Sequence, residues 1–241
     1  MDQLTITAAS GMRSRIEALD LLANNLANTG TTGYKADREF YNLYTSSDAD
    51  TQTTLPSIER NWIDFSQGLV KETGNPLDIA LAGKGFLTVD SPAGPLYTRN
   101  GSLRLSPTGI LETAEGYSLC ANTPTRKIQA NPLAGPLQIQ KDGTVLQDGQ
   151  ILGVLTLADW AGTNPLQKRD GLYFQWTDST RPPSTPAGIE LLQGRLESSN
   201  AGPAEAAVKL VGVLRQFEML QKAMNLGAEM NRKAVEDVAR V

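Results

Sequence analysis

Leu21-Leu22-Ala23-Asn24-Asn25-Leu26-Ala27-Asn28-Thr29, followed at once by Gly30-Thr31-Thr32-Gly33-Tyr34-Lys35, closes the first long apolar pattern of the chain. Reading back from it, Thr5, Ala9, Met12, Ile16, Leu19, Ala23 and Leu26 recur at alternating spacings of four and three. That spacing is the seam of a coiled-coil helix. Ser10, Arg13, Ser14, Glu17, Asp20 and Asn24 fall elsewhere on it. The pattern predicts a helix running to about Asn28, with Gly30 in the left-handed conformation that ends many helices. A lone amphipathic helix of this length is marginal in water, so its stripe requires a cover.

The other such pattern stands at the opposite end. Pro203 suits a first helical turn. After it Ala206, Leu210, Val213, Phe217, Leu220, Met224, Gly227, Asn231, Ala234 and Val238 again alternate between fours and threes. A helix from Pro203 to the end would be about 55–60 Å long at 1.5 Å per residue. The first helix is the economical partner for it.

Between the two helices the text changes. Residues 34–74 read as an irregular extended arm, with an apolar cluster at Phe40, Tyr41, Leu43 and Tyr44 and a polar loop from Ser46 to Thr54. From Asn75 the period is two: Leu77, Ile79 and Leu81 alternate with Asp78 and Ala80, and Leu87 and Val89 resume the alternation. Asn100-Gly101, Asp142-Gly143 and Asp148-Gly149 mark turns, the first a strong hairpin signal. Many short strands with frequent turns predict an antiparallel β-barrel or sandwich. The expected fold is therefore mixed and mainly β, with long terminal α-helices pairing as a coiled coil. Its expected divisions are an N-terminal helix (1–33), a connecting arm (34–74), a β-rich domain (75–199) and a C-terminal helix (200–241).

Composition excludes several functions. The 241 residues include no histidine and a single cysteine, Cys120. Histidine-based nucleophile systems and most zinc sites are thereby removed, as is any internal disulfide. The net charge of -4 is spread along the chain, with no basic patch for nucleic acid and no polybasic run for a membrane surface. No stretch reaches the length of a membrane span, and the N-terminus lacks the charge and apolar core of a cleaved signal peptide. Gly83-Lys84-Gly85 is a turn rather than a phosphate loop, because Asp78 and Gly85 stand where a glycine and a hydroxyl residue are required. Asp and Glu are plentiful, but no spacing singles out an acid–base pair. No catalytic, cofactor or metal residue is assigned, and no cofactor is expected.

The terminal helices carry the strongest specific pattern. Ala8-Ala9-Ser10-Gly11-Met12, Ala23-Asn24-Asn25-Leu26-Ala27-Asn28 and Thr31-Thr32-Gly33-Tyr34-Lys35 resemble the opening of the bacterial flagellar rod and hook proteins. The resemblance continues through Gly74-Asn75-Pro76-Leu77-Asp78-Ile79-Ala80, Tyr97-Thr98-Arg99-Asn100-Gly101 and Leu196-Glu197-Ser198-Ser199-Asn200. It closes with Arg215-Gln216-Phe217-Glu218-Met219, and within the family it is most like the proximal rod subunits. Ala201-Gly202-Pro203 departs from the family's usual text at that place.

The resemblance implies a structural subunit that polymerises, with copies of itself and other rod proteins, into a hollow helical shaft crossing the periplasm. It implies delivery by the flagellar type III export apparatus, and helices forming an inner layer inside the β-domains. On that reading Met12, Ile16, Leu19, Ala23, Asn24, Asn25, Leu26 and Asn28 lie at subunit contacts with Leu210, Val213, Phe217, Leu220 and Met224. The Asn amides would satisfy helix-end backbone groups between subunits. A distal rod subunit of the same family is the nearest alternative. Outside it stand a β-rich binding module with helical oligomerisation ends and a carboxylate hydrolase.

Overall fold

The computed structural model of the protein describes residues 3–45, 54–160, 166–178, 180, 183–184 and 188–238. The polar run expected as a loop, residues 46–53, lies outside the described residues. The chain forms two compact units. A helical unit comprises Met1–Asn28, Ala36–Asp64 and Ala201–Val241; a β unit comprises Thr29–Lys35 and Phe65–Asn200.

The helical unit holds helix α1 (Gln3–Ala27), strands β1 (Asp37–Thr45) and β2 (Thr54–Ile63), and helix α2 (Pro203–Val238). Residues 37–45 and 54–63 thus form an antiparallel strand pair, with a bulge at Phe40/Tyr41, where the sequence predicted an irregular arm. Pro203 opens α2 as expected, and Glu205 in the first turn complements the helix dipole. The end of α1 differs from the expectation. Asn28 Nδ2 reaches back to the Asn24 carbonyl (2.9 Å) and to its Oδ1 (3.0 Å). The left-handed residue is Gly33 (φ 70°), not Gly30.

The β unit begins with β3 (Val70–Glu72), β4 (Ile79–Ala82), β5 (Phe86–Ser91), β6 (Gly94–Thr98) and β7 (Leu103–Leu105). Strands β8 (Leu111–Thr113), β9 (Ser118–Leu119), β10 (Leu137–Ile139), β11 (Thr144–Gln147) and β12 (Gln150–Val154) follow. The last are β13 (Leu157–Ala158), β14 (Leu166–Asp170), β15 (Tyr173–Trp176), β16 (Glu190–Gln193) and β17 (Arg195–Glu197).

The largest sheet runs β14-β15-β6-β5-β9-β8-β7, with β13 beside β5, and its two ends do not rejoin. The pairs are antiparallel, as predicted, but the barrel is not closed. The reason lies in the partners of the outer segments: β10-β11-β12, β16-β4 and β17-β3 form separate small sheets. Two of these join the beginning of the unit to its end.

Strand β5 shows how the core is divided. Leu87 and Val89 point into an aliphatic core with Ile79, Leu81, Leu96 and Leu111. Phe86, on the opposite face, packs on Phe65, Trp160 and Phe174 at centroid distances of 5.1–5.5 Å. Burial on both faces also overrides the alternation read from the sequence at β4, where Ile79, Ala80 and Leu81 are all buried. Asp78, placed on the solvent side by that alternation, is buried and accepts a bond from Asn75 Nδ2 at 3.1 Å.

The Gly-containing turns divide in the same way. Asp148 and Gly149 (φ 50° and 82°) join β11 to β12 with the positive dihedrals of a two-residue hairpin. Asn100-Gly101 does not. It bends the chain between β6 and β7, which do not pair, and Asn100 Oδ1 accepts the Ser102 N–H. Gly101 is required by proximity: a Cβ there would sit 1.7 Å from the Ile79 carbonyl oxygen.

Gly101→Ala must therefore displace the start of β4, and a loss of about 1–3 kcal/mol is expected from overpacking. Gly30→Ala meets no atom within 4 Å and is expected to stay within about 1 kcal/mol of wild type. Urea unfolding followed by tryptophan fluorescence and helical circular dichroism checks both. Equal midpoints for Gly101→Ala and wild type would contradict the first expectation.

Candidate assembly surface and its ionic anchor

In the helical unit α1 and α2 pack together. On α2 the positions the periodicity chose from Leu210 to Gly227 are half-buried (Leu210, Val213, Phe217, Leu220, Met224 and Gly227), with Ala206 buried before them, while Asn231, also chosen, is exposed. On α1 the buried face falls one residue earlier than predicted. Ala8, Gly11, Ser14, Ala18, Leu22 and Asn25 are buried. Met12, Leu19, Leu26 and Asn28 are half-buried, Ala23 and Asn24 are exposed, and Ile16 is 47% exposed.

Small side chains account for the shift. A Cβ on Gly11 would lie 3.4 Å from Leu220 Cδ1, so α1 meets the large residues of α2 with little of its own bulk. Small contact residues shorten the distance between helix axes. The larger Met12 and Ile16 are left beside the contact. With Ala9, Arg13, Glu17 and Met224 they line an open, mainly apolar groove of about 470 Å³.

Of the three signature asparagines, Asn25 is buried, and it clamps a neighbouring segment of its own unit. Its Nδ2 donates to the Asp37 carbonyl (2.7 Å), and its Oδ1 accepts the Asp37 N–H (2.9 Å). The amide thus pairs with the first residue of β1 as another strand would. Asn28 bonds the Asn24 carbonyl, a helix-end group of the kind expected for these amides.

The β unit contains a cluster that periodicity does not reveal. Glu197 and Lys35 are both fully buried, and Lys35 Nζ donates to Glu197 Oε1 at 2.6 Å. The same Nζ donates to the Ser66 carbonyl at 2.7 Å. Arg99, 3% exposed, reaches Glu197 Oε2 through Nη1 at 3.2 Å and the Gly83 carbonyl through Nη2 at 2.6 Å. The Gly68 N–H completes the carboxylate's partners at 2.8 Å. Burial pushes the Arg99 guanidinium below its ordinary range, and Glu197 opposes that shift. Arg99 also lies over the Phe86 ring at 5.2 Å, where its Nε has no hydrogen-bond partner.

Backbone contacts tighten the same place. Gly33 N–H donates to the Glu197 carbonyl at 2.7 Å, and Asn200 Nδ2 donates to the Ser66 carbonyl at 3.2 Å. A Cβ on Gly33 would lie 2.4 Å from the Asn100 nitrogen, and one on Gly68 would lie 2.0 Å from the Ser198 oxygen. Lys35, Ser66 and Asn200 stand at or near three of the four places where the chain leaves the β unit, those leading to residues 36, 64 and 201. The cluster and its neighbours therefore fasten three of the four exits on the β-unit side.

Comparison with known proteins supplies the family. A flagellar basal-body rod protein FlgF of Caulobacter vibrioides is 32% identical over the whole of both chains. The chain belongs to the flagellar basal-body rod protein family. FlgF of Escherichia coli is 29% identical over 93% of this chain and 94% of its own. The basal-body rod protein FlgG of Buchnera aphidicola (strain Sg) is 29% identical over 93% and 95%. Three family models match: flagella basal body rod protein (7–35), flagellar hook protein FlgE/F/G D1 domain (80–147) and flagellar basal body rod FlgEFG protein C-terminal (192–236).

Each matched segment of this rod protein contributes one member of the ionic cluster: Lys35, Arg99 and Glu197. All three stand within text already conspicuous in the sequence, Tyr34-Lys35, Thr98-Arg99-Asn100 and Leu196-Glu197-Ser198. Their charges were the signal, but 162 residues separate Lys35 from Glu197, and nothing local links them. Rod proteins are structural components, not enzymes. No described helix is long and apolar enough to cross a membrane.

Removing one partner of a buried ion pair strands the others. Glu197→Gln is expected to cost about 3–5 kcal/mol in β-unit stability, read by urea unfolding; a loss below about 1 kcal/mol would contradict the anchoring role. Asn25→Ala leaves the half-buried Asp37 backbone without the amide clamp. It is expected to cost the helical unit about 1–3 kcal/mol in thermal unfolding followed at 222 nm, and an unchanged transition would count against the clamp.

Proposed function

We propose that this chain is a structural subunit of the proximal flagellar rod, polymerising into the hollow shaft that crosses the periplasm and transmits torque. The observation that carries this reading is the full-length similarity to proteins named FlgF. The exposed apolar residues of α2 support it, because such surface on a helix calls for a partner. In the assembled rod, α1 and α2 pair as a coiled coil in an inner layer, and the residue 75–199 region forms the outer one. Met12, Ile16, Leu19, Ala23, Asn24 and Leu26 then lie at or beside subunit contacts, with Leu210 to Met224 completing the seam. Copies of this chain and other rod proteins are its neighbours, and the flagellar export apparatus delivers it without a cleaved signal. The similarity to FlgG favours a distal position as the second reading.

Removing the chain from its bacterium tests the function. Cells are expected to lose motility, with basal bodies interrupted in the proximal rod. Motile cells with continuous rods would contradict the proposal, and an interruption confined to the distal rod would favour the second reading. A chain lacking residues 1–28 is expected to restore neither rod nor motility while its β unit retains native tryptophan fluorescence. Restored motility would instead favour a binding module that does not work through its ends.

A further inference from the structure

We propose that Asn100 is a self-modification site that folding closes. In an unfolded chain it deamidates through the Gly101 nitrogen, and the isoaspartyl product no longer fits the β unit.

Asn100-Gly101 is the single Asn-Gly step of the chain. Asparagine is among the thermolabile residues, and a glycine after it leaves the next backbone nitrogen without steric cover. In an open chain the Gly101 nitrogen gives its proton to solvent base and attacks Asn100 Cγ. A C–N bond forms, the Cγ–Nδ2 bond breaks, and Nδ2 takes up a proton and leaves as ammonia. The product is a five-membered succinimide, which water opens at either carbonyl. One opening gives aspartate. The other gives isoaspartate, whose backbone runs through Cγ and is one methylene longer.

The fold withholds the motion that this ring requires. Asn100 is buried, and its Oδ1 accepts the Ser102 N–H at 3.1 Å in an Asx turn. Its own N–H donates to Thr98 Oγ1 at 3.0 Å. The Gly101 carbonyl accepts the Ile79 N–H at 3.0 Å, and Asp78 and Ser102 form a bridge beside it. Ring closure rotates the backbone of residues 100 and 101 and breaks these bonds. The native chain therefore reacts only after the turn opens locally.

The product is excluded by the same packing. A Cβ on Gly33 would lie 2.4 Å from the Asn100 nitrogen and 2.6 Å from its Cα, and one on Gly101 would lie 1.7 Å from the Ile79 carbonyl oxygen. A backbone without space for a methyl group on either side has none for an inserted methylene. The insertion also falls one residue after Arg99, which must reach both Glu197 and the Gly83 carbonyl. Asp142, Asp148 and Asp170, each also followed by glycine, are exposed by contrast. Chains are thereby sorted by history: one that folds promptly keeps Asn100, and one that lingers unfolded loses the means to complete its β unit.

Ageing the full-length protein at mildly alkaline pH, native in one sample and unfolded in guanidinium chloride in another, tests this. Mass spectrometry of the peptide containing residue 100 reads the gain of one mass unit and separates the aspartyl from the isoaspartyl form. The unfolded chain is expected to convert at least about tenfold faster than the native one; equal rates overturn the shielding. The aged unfolded sample is then refolded by dilution and divided into folded and unfolded fractions. Isoaspartate at residue 100 is expected only in the unfolded fraction, and its presence in both in equal proportion overturns the exclusion. Asn100→Ser, which cannot form the ring, is expected to keep its refolding yield on ageing. A fall matching that of wild type would place the damage elsewhere and overturn the proposal.

Discussion

One buried carboxylate holds the β unit in its arrangement. Glu197 accepts from Lys35, from Arg99 and from the Gly68 backbone, and it is fully removed from water. A buried charge is costly unless its partners are present, so Glu197 tolerates only chain paths that bring Lys35 and Arg99 to it. The contacts join residue 35 and residue 99 to residue 197. The strand pairs β3–β17 and β4–β16 follow the same long closure. The β unit is therefore complete only when its first and last segments are together. Replacement of such clusters by apolar residues is often neutral for stability. Their value here is in specifying which segments meet, and the glycines at 33, 68 and 101 provide the close approach that the arrangement demands.

The helical unit rests on a different principle. Its described ion pairs are largely exposed i,i+4 pairs such as Arg13–Glu17 and Lys209–Glu205, which solvent screening leaves with little weight. Its cohesion comes from a seam of small residues on α1 against large ones on α2, and from the Asn25 clamp on Asp37. That seam uses only one side of α2. Val208, Met219, Leu226 and Met230 remain at the surface, and burial in a further contact would yield roughly 1.5–3 kcal/mol for each such side chain if it became complete. The free chain is thus left with favourable burial still to be gained by assembly, which fits membership of a family of rod proteins.

Much of this was legible in the sequence, for reasons that can be stated. Periodicity located both helices and the contact positions of α2, because large apolar residues mark a seam plainly. It places the α1 face one residue late, because Gly11, Ser14 and Ala18 carry too little hydrophobicity to register although they are buried. Two of the three turn signals diverge because a hairpin needs positive dihedrals, which Asp148-Gly149 has and Asn100-Gly101 lacks. Asn25 stands out in the sequence, but its partner Asp37 lies in a segment that reads as irregular. The ionic cluster was invisible to any local rule: its three members occur in separate motifs and meet only through the topology.

The central claim is that the terminal helices, rather than the β unit, make the shaft. Cryo-electron microscopy of intact basal bodies containing this chain tests it most directly. The account predicts α1 and α2 at the inner radius, lining the channel. A rod in which β units line the channel would contradict it.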